Sequence, residues 1–329
     1  MNTLIVDLTE RLELAALPIP PELQPTTYSD WTNLDDLRPM LAEAEALFCT
    51  PLIPIDQAFL DAAPKLRIIQ LQSAGYDRVD LAATRARGIP VSHAPNANAA
   101  TVAEHVFMVS MALQRQLFDS HKSIVHGRYQ DMKWAIMRHG NFELAGKTLG
   151  IVGFGRIGRQ VARRAAAFDM ETIYTDITHA SPEDEAHYGV TYVDMHELLR
   201  RADVLTVHTW LDQSTHHLIG EEELSMLKPS ALVLNAARGP VVDPAALADA
   251  LKSGRIAGAA VDVFETEPAT DDDPLVQLAR AGFERLILTP HVAGITDAAQ
   301  RRALKHALDN LVRFTRGEPI LDICNGVLA

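Results

Sequence analysis

Two cysteines, Cys49 and Cys324, are all that the 329 residues contain. They support neither a disulfide framework nor a metal-ligand spacing, so a reducing cytoplasm is the expected compartment and no metal is expected in the site. Basic residues are also scarce: 30 Lys and Arg face 43 Asp and Glu, a formal net charge of −13. That balance argues against a nucleic-acid or anionic-membrane partner, and any anionic ligand must be held by local donors. Long apolar runs are missing. The most apolar helical run, Val106 to Leu113, is eight residues between Glu104-His105 and Gln114-Arg115, too short to cross a bilayer. At the N-terminus, Asp7, Glu10 and Glu13 stand where a signal peptide would need a basic segment and a long apolar core, so none is expected. No internal repeat or low-complexity segment is visible. What is present, 47% hydrophobic and 22% charged residues over a length that suits two domains, describes a globular chain rather than a disordered one.

The most informative stretch is Gly150-Ile151-Val152-Gly153-Phe154-Gly155-Arg156-Ile157-Gly158. A Gly-x-Gly-x-x-Gly pattern alone is weak. Here it follows a strand, Thr148 to Val152, and opens a helix that continues through Gln160 to Phe168. A second strand, Thr172 to Thr175, ends at Asp176, 18 residues beyond Gly158, near the spacing of the acid that binds an adenosine ribose. Gly153 permits the tight turn, Gly155 lets backbone approach a diphosphate, and Gly158 lets helix and strand pack closely. The helix start adds free N–H groups and a positive dipole end, with Arg156 near enough to approach the diphosphate or simply to stay solvated. Asp176 would accept from a ribose 2′-hydroxyl and repel a 2′-phosphate, while Ile177 and Thr178 supply no compensating charge. NAD is therefore the expected cofactor.

The first hundred residues alternate strands (Thr3 to Leu8, Ala46 to Thr50, Leu66 to Leu71, Ile89 to His93) with helices (Asp56 to Ala63, Val79 to Arg87) but have no glycine loop. A long helix from Thr101 to about His126 leads to an irregular segment around Trp134. After the fingerprint, strands at Val204 to His208, Ala231 to Asn235, Ala257 to Val263 and Leu286 to Leu288 alternate with helices near Glu221 to Leu227 and Pro244 to Lys252. A last helix, Asp297 to Arg316, belongs to a tail too small to be a domain, so it should return to the first one. The expected fold class is α/β, with two doubly wound parallel-sheet domains, a Rossmann NAD-binding domain inserted into a flavodoxin-like substrate domain. The expected boundaries are 1–100, 101–292 and 293–329.

Three polar residues sit at or beyond strand ends, where open α/β sheets bind ligands. Arg238 closes Leu232 to Gly239 and could hold a carboxylate by two parallel hydrogen bonds; a surface ion pair is the plain alternative. Glu267 follows the strand carrying Asp262, and Glu265 competes for any role it has. His291 lies in Thr289-Pro290-His291-Val292-Ala293-Gly294, and a lone histidine among 13 is more often structural than catalytic.

Taken together, the set resembles the D-isomer-specific 2-hydroxyacid dehydrogenase family over nearly the whole chain. Ser73-Ala74-Gly75-Tyr76-Asp77, Asn98 to His105, the glycine fingerprint, Asn235-Ala236-Ala237-Arg238-Gly239, Asp262 to Pro268 and Thr289-Pro290-His291 look like its motifs, in its order. One departure is Trp210, where the family usually has Pro after Val207-His208-Thr209; it puts the local cofactor contacts in question. The resemblance implies an NAD-dependent enzyme acting on a small 2-hydroxy or 2-oxo acid. It gives His291 the acid-base role and Glu267 the role of orienting it; Arg238 clamps the substrate carboxylate, helped by the Ala74 and Gly75 N–H groups. Asp262 would contact the nicotinamide carboxamide, and Thr101 and Thr209 would line the same end of the cofactor. Leu52, Ile53, Tyr76, Trp134 and Met137 are expected around a modest apolar substrate group. A phosphite oxidase of the same fold is disfavoured because Ala74 stands where its pattern has Lys. An NADH-sensing corepressor similar to the C-terminal-binding proteins shares the motifs but carries extensions not seen here. A homodimer through the helix from Thr101 is expected, because Val106, Phe107, Val109, Met111 and Leu113 cover more than one face.

Overall fold

The computed structural model describes residues 1–29, 34–139 and 141–328. They divide into two compact units, Met1–Asn98 with Ile295–Ala329, and Ala99–Gly294.

In the first unit, β1 (Thr3–Val6), β2 (Pro25–Tyr28), β3 (Ala46–Cys49), β4 (Ile68–Leu71) and β5 (Val91–Ser92) form a parallel sheet in the order β2-β1-β3-β4-β5. This is the flavodoxin-like order. Period-two alternation sends Leu4, Val6, Leu47, Cys49, Ile69 and Leu71 into one core and Ile5, Ala46, Phe48 and Ile68 into the other. Burial on both faces explains why these strands read as continuous apolar runs. The helix Asp297–Thr315 covers the second face with Leu304, Ala307, Leu308 and Leu311. Its buried Asn310 donates to Ser92 Oγ at 2.9 Å and the Leu321 carbonyl at 3.0 Å, and accepts the Leu321 amide at 3.0 Å. These bonds fasten the end of the chain to the first sheet.

In the second unit, β6 (Thr148–Val152), β7 (Glu171–Thr175), β8 (Val190–Tyr192), β9 (Val204–Val207), β10 (Leu232–Asn235), β11 (Gly258–Val261) and β12 (Leu286–Leu288) are parallel in the order β12-β11-β10-β9-β6-β7-β8. This is the Rossmann order with one further strand, and it reverses between β6 and β9, where such sheets bind ligands.

Several expectations are corrected. The segment around Trp134 is a helix, Tyr129–His139, not irregular. The long helix is two, Ala99–Gln114 and Leu117–Val125, broken where Gln116 turns left-handed at φ 49°. Edge strands β2 and β8 escape a search for apolar runs because they are short, and β2 is largely exposed. Val106, Phe107, Val109 and Leu113 are buried in their own unit's core, so their apolar character needs no partner subunit.

Candidate active site

The glycine turn joins β6 to the helix Arg156–Ala165. Gly153 has φ 95°, and a Cβ there would stand 2.8 Å from the His208 carbonyl carbon. A Cβ on Gly158 would collide with the Gly153 carbonyl oxygen and press the Ile151 side chain, so the helix can sit this close only with glycine. Gly155, in contrast, borders open space and leaves the helix start without a side-chain cap. An open position over uncapped N–H groups is what a diphosphate requires. Ile157 packs on the core and Arg156 is exposed.

Asp176, just past β7, accepts the Phe154 amide at 2.7 Å on Oδ2 and the Thr178 amide at 3.1 Å on Oδ1. The acid thus braces the glycine turn while staying half-buried at its rim. The Thr209 hydroxyl is buried without a hydrogen-bond partner among the described residues, and Thr209's amide adjoins Gly153. An orphaned hydroxyl beside an open glycine turn fits a polar ligand, and the donor set as a whole fits a dinucleotide. Thr101 is buried near the start of its helix. Trp210 is exposed, and its indole N–H donates to Asp212 at 2.6 Å. Asp212 also accepts from Ser214 and Thr215, and these hydrogen bonds, Ser214's foremost, hold its carboxyl down to about 2. The departure at Trp210 therefore closes its own loop.

The second part of the site is built on the ends of β10, β11 and β12. Asn235 donates to the Arg238 carbonyl at 3.0 Å and accepts the Ala237 amide at 3.1 Å, shaping the turn that presents Arg238. The Arg238 guanidinium donates to the Ala237 carbonyl at 2.7 Å. Gly239 packs so closely on Phe264 that a Cβ would overlap its carbonyl. That contact joins the Arg238 turn to the segment carrying Glu267.

Glu267 accepts the Phe264 amide on Oε1 at 3.1 Å, and its Oε2 lies 2.7 Å from His291 Nδ1. The histidine side chain is 50% exposed and the glutamate 32%. Glu265 is committed elsewhere, 2.7 Å from His217 Nε2, so the competitor for His291's partner is occupied. The hydrogen bond to Glu267 raises the His291 pKa above its ordinary value; burial and the Arg238 charge oppose the rise, and the Glu267 and Asp262 charges add to it. For Glu267, burial is the largest influence and pushes upward. The His291 hydrogen bond, the Phe264 amide and the charges of His291 and Arg238 together outweigh it, leaving the carboxyl below its usual range.

Asp262 is 1% exposed, and its carboxylate accepts the Thr289 hydroxyl, the Val292 amide at 2.9 Å and the Ala293 amide at 2.8 Å. This carboxylate supports the loop carrying His291. The structure thus brings Arg238, Glu267, His291 and Asp262 together in the second unit. Ala74 and Gly75 lie in the first, after β4, where the Ala74 carbonyl meets His93 Nδ1 at 2.8 Å and the Gly75 carbonyl accepts Ser73 Oγ at 3.0 Å. The Tyr76 and His93 rings meet nearly perpendicular at 5.1 Å between centroids, and Leu52 is exposed. Ile53 is 2% exposed and belongs to the core, so it is withdrawn as a pocket residue. Trp134 and Met137 are exposed on the helix Tyr129–His139. The sequence reading lacks the bracing roles of Asn235 and Gly239, whose visible signal is their place on either side of Arg238, and that of Asp262, which it assigns to the cofactor instead.

Residues 107–293 match the family model described as D-isomer specific 2-hydroxyacid dehydrogenase, NAD binding domain. The chain belongs to that family. Among its relatives, a glyoxylate reductase of Korarchaeum cryptofilum is 39% identical over 276 residues, 84% of this chain and 81% of its own length. A D-3-phosphoglycerate dehydrogenase of Mycobacterium tuberculosis is 37% identical over 296 residues, 90% of this chain but 54% of its own length. The crystal structure of D-lactate dehydrogenase from Aquifex aeolicus, complexed with NAD and lactic acid, superposes with a TM-score of 0.83 at 29% identity, covering 96% of both chains. This dehydrogenase is therefore an NAD-dependent oxidoreductase that transfers hydride between 2-hydroxy and 2-oxo acids. Among the described residues, no helix is long and apolar enough to cross a membrane.

Proposed function

We propose that the enzyme reduces a small 2-oxo acid with NADH, using His291 as proton donor, Glu267 as its positioning residue and Arg238 as the carboxylate clamp. The observation that carries this reading is the 2.7 Å pair of His291 Nδ1 and Glu267 Oε2 beside the Arg238 turn. The glycine turn, Asp176 and the Thr209 hydroxyl would hold NADH, whose chemistry when bound is hydride donation. Arg238 binds the carboxylate and draws electron density toward the adjacent carbonyl. With Nδ1 bound to Glu267, His291 Nε2 is the atom that passes a proton to the carbonyl oxygen; in the reverse direction it takes that proton back. Thr101 would line the nicotinamide end of the cofactor; Asp262, expected to contact the carboxamide, has its carboxylate buried and bound to the Thr289 hydroxyl and the Val292 and Ala293 amides, which suits the role of holding the His291 loop.

The experiment is a panel of 2-oxo acids, with phosphite and NAD as a separate arm, followed through NADH absorbance. Turnover of glyoxylate, pyruvate or another small 2-oxo acid supports the reading. Oxidation of phosphite in preference to every hydroxy acid would replace it.

We also propose a homodimer, through the exposed Met108, Met111, Leu117, Phe118, Ile124 and Val125. So many large apolar side chains on two successive helices exceed the scattered exposure of a monomer surface. A cytoplasmic location fits the cysteines, which are both unpaired.

A further inference from the structure

Two histidines and an acid meet in the second unit away from His291. His216, His217 and Glu265 present ligand atoms that all lie within 4.8 Å of one another. In extended chain adjacent side chains diverge to opposite sides. Here His217 turns left-handed at φ 50°, and the two rings stack at 4.1 Å between centroids, inclined by 30°. The Asp212 carboxylate fixes the chain just before them through the Ser214 and Thr215 amides. The His217 amide donates to the Pro240 carbonyl at 2.7 Å, tying it to the Arg238 turn.

Both nitrogens of His217 are oriented. Nε2 lies 2.7 Å from Glu265 Oε1, and Nδ1 lies 3.5 Å from Asp243 Oδ2. Asp243 is itself anchored, since its Oδ1 accepts the Ala245 and Ala246 amides at the head of the helix Pro244–Lys252. A carboxylate behind the far nitrogen is how metal-binding imidazoles are positioned. Two imidazoles and one carboxylate suit zinc and its transition-metal neighbours, whereas magnesium and calcium prefer oxygen alone. Bonds of about 2 Å in a tetrahedron separate ligand atoms by roughly 3.3 Å, so the His217 to Glu265 contact needs only a small opening.

We propose that His216, His217 and Glu265 form a zinc-class divalent metal site with one position left for water, joining the loop before Ile219 to the segment that carries Glu267. Chelator-treated, tag-free protein titrated calorimetrically with Zn²⁺ should take up one high-affinity ion per chain. Co²⁺ in its place should give the visible absorption of a tetrahedral ion. His216→Ala and Glu265→Gln should weaken binding at least tenfold, on the order of a lost ligand or its support. Asp243→Asn, which keeps the helix cap, should weaken it by about tenfold to a hundredfold. His291→Asn should bind as the parent does. A Zn²⁺-dependent rise in melting temperature should be present in the parent and absent in His216→Ala, whose metal-free melt should be unchanged. Binding unaffected by His216→Ala and Glu265→Gln, or lost in His291→Asn, would overturn the site.

Discussion

The His291 amide donates to the Asp262 carbonyl at 2.7 Å, so a residue with φ 53° is bound to a residue that is almost wholly buried. A left-handed histidine is uncommon and persists where its surroundings impose it. The Asp262 carboxylate supplies that imposition by accepting the two amides that follow. Asp262→Asn keeps one acceptor oxygen and loses the charge. It should lower kcat more than it raises KM for the 2-oxo acid, because misaligning the proton donor acts on the transition state. A change in KM alone would return Asp262 to a binding role.

His291→Asn should lower turnover by about two to four orders of magnitude, the usual worth of a positioned acid-base group. NADH affinity, read from cofactor fluorescence, should stay near that of the parent. Near-normal turnover would remove His291 from the mechanism.

Glu267→Gln tests the coupling. Glu267 raises the His291 pKa, so losing its charge lowers that pKa, and reduction, which needs protonated His291, should fail at a lower pH than in the parent. The stability consequence has two edges. His291, with its pKa raised on folding, stabilises below its unfolded value, and this is lost as pH rises through the folded value. Glu267, with its pKa lowered, stabilises above its unfolded value, and this is lost as pH falls through the folded value. The pair therefore contributes most between the two folded values, and chemical denaturation across pH should show this window shrink in Glu267→Gln.

Gly239→Ala should cost about 1–3 kcal/mol of stability, because the new Cβ overlaps the Phe264 carbonyl and the backbone must move. Activity should fall well beyond the share explained by unfolding, since the same movement separates the Arg238 turn from the Glu267 segment. Parent-like kcat/KM in the folded variant would show that the close contact has no part in alignment.

Cofactor choice should follow Asp176. Asp176→Ala removes the acceptor for a 2′-hydroxyl and the repulsion of a 2′-phosphate, but it also frees the Phe154 amide and loosens the glycine turn. Asp176→Asn keeps an acceptor for that amide. Comparing NAD and NADP kinetics in both variants separates charge from bracing, and measurable NADP use by the parent would defeat the argument from charge.

Much of this was legible because the signals are local. A glycine turn between a strand and a helix, and apolar strands buried on both faces, declare themselves over a few residues. Arg238, Glu267 and His291 each follow a strand, so the sheet fixes their location once strand order is known. Their mutual bracing was not legible: the Asp262 hydrogen bonds to Val292 and Ala293 join residues about thirty positions apart. The break at Gln116 carries no proline or glycine marker, and the helix around Trp134 has no buried residue among its described side chains to give it an apolar stripe; in the Val106 to Leu113 run, Val106, Phe107, Val109 and Leu113 serve their own core while Met108 and Met111 stay exposed.

The first unit is assembled from both ends of the chain, and this orders its synthesis. When the ribosome has made the first 98 residues, β1 to β5 exist but one face of their sheet, with Ile5, Phe48 and Ile68, has only Leu8, Leu12 and Leu23 and their neighbours to cover it. Nearly two hundred further residues, a contiguous unit able to collapse by itself, must be made before Leu304, Ala307, Leu308 and Leu311 arrive. A nascent chain stalled before residue 297 would hold a finished nucleotide-binding unit beside an unfinished sheet, and chaperone dependence should be greatest in that interval.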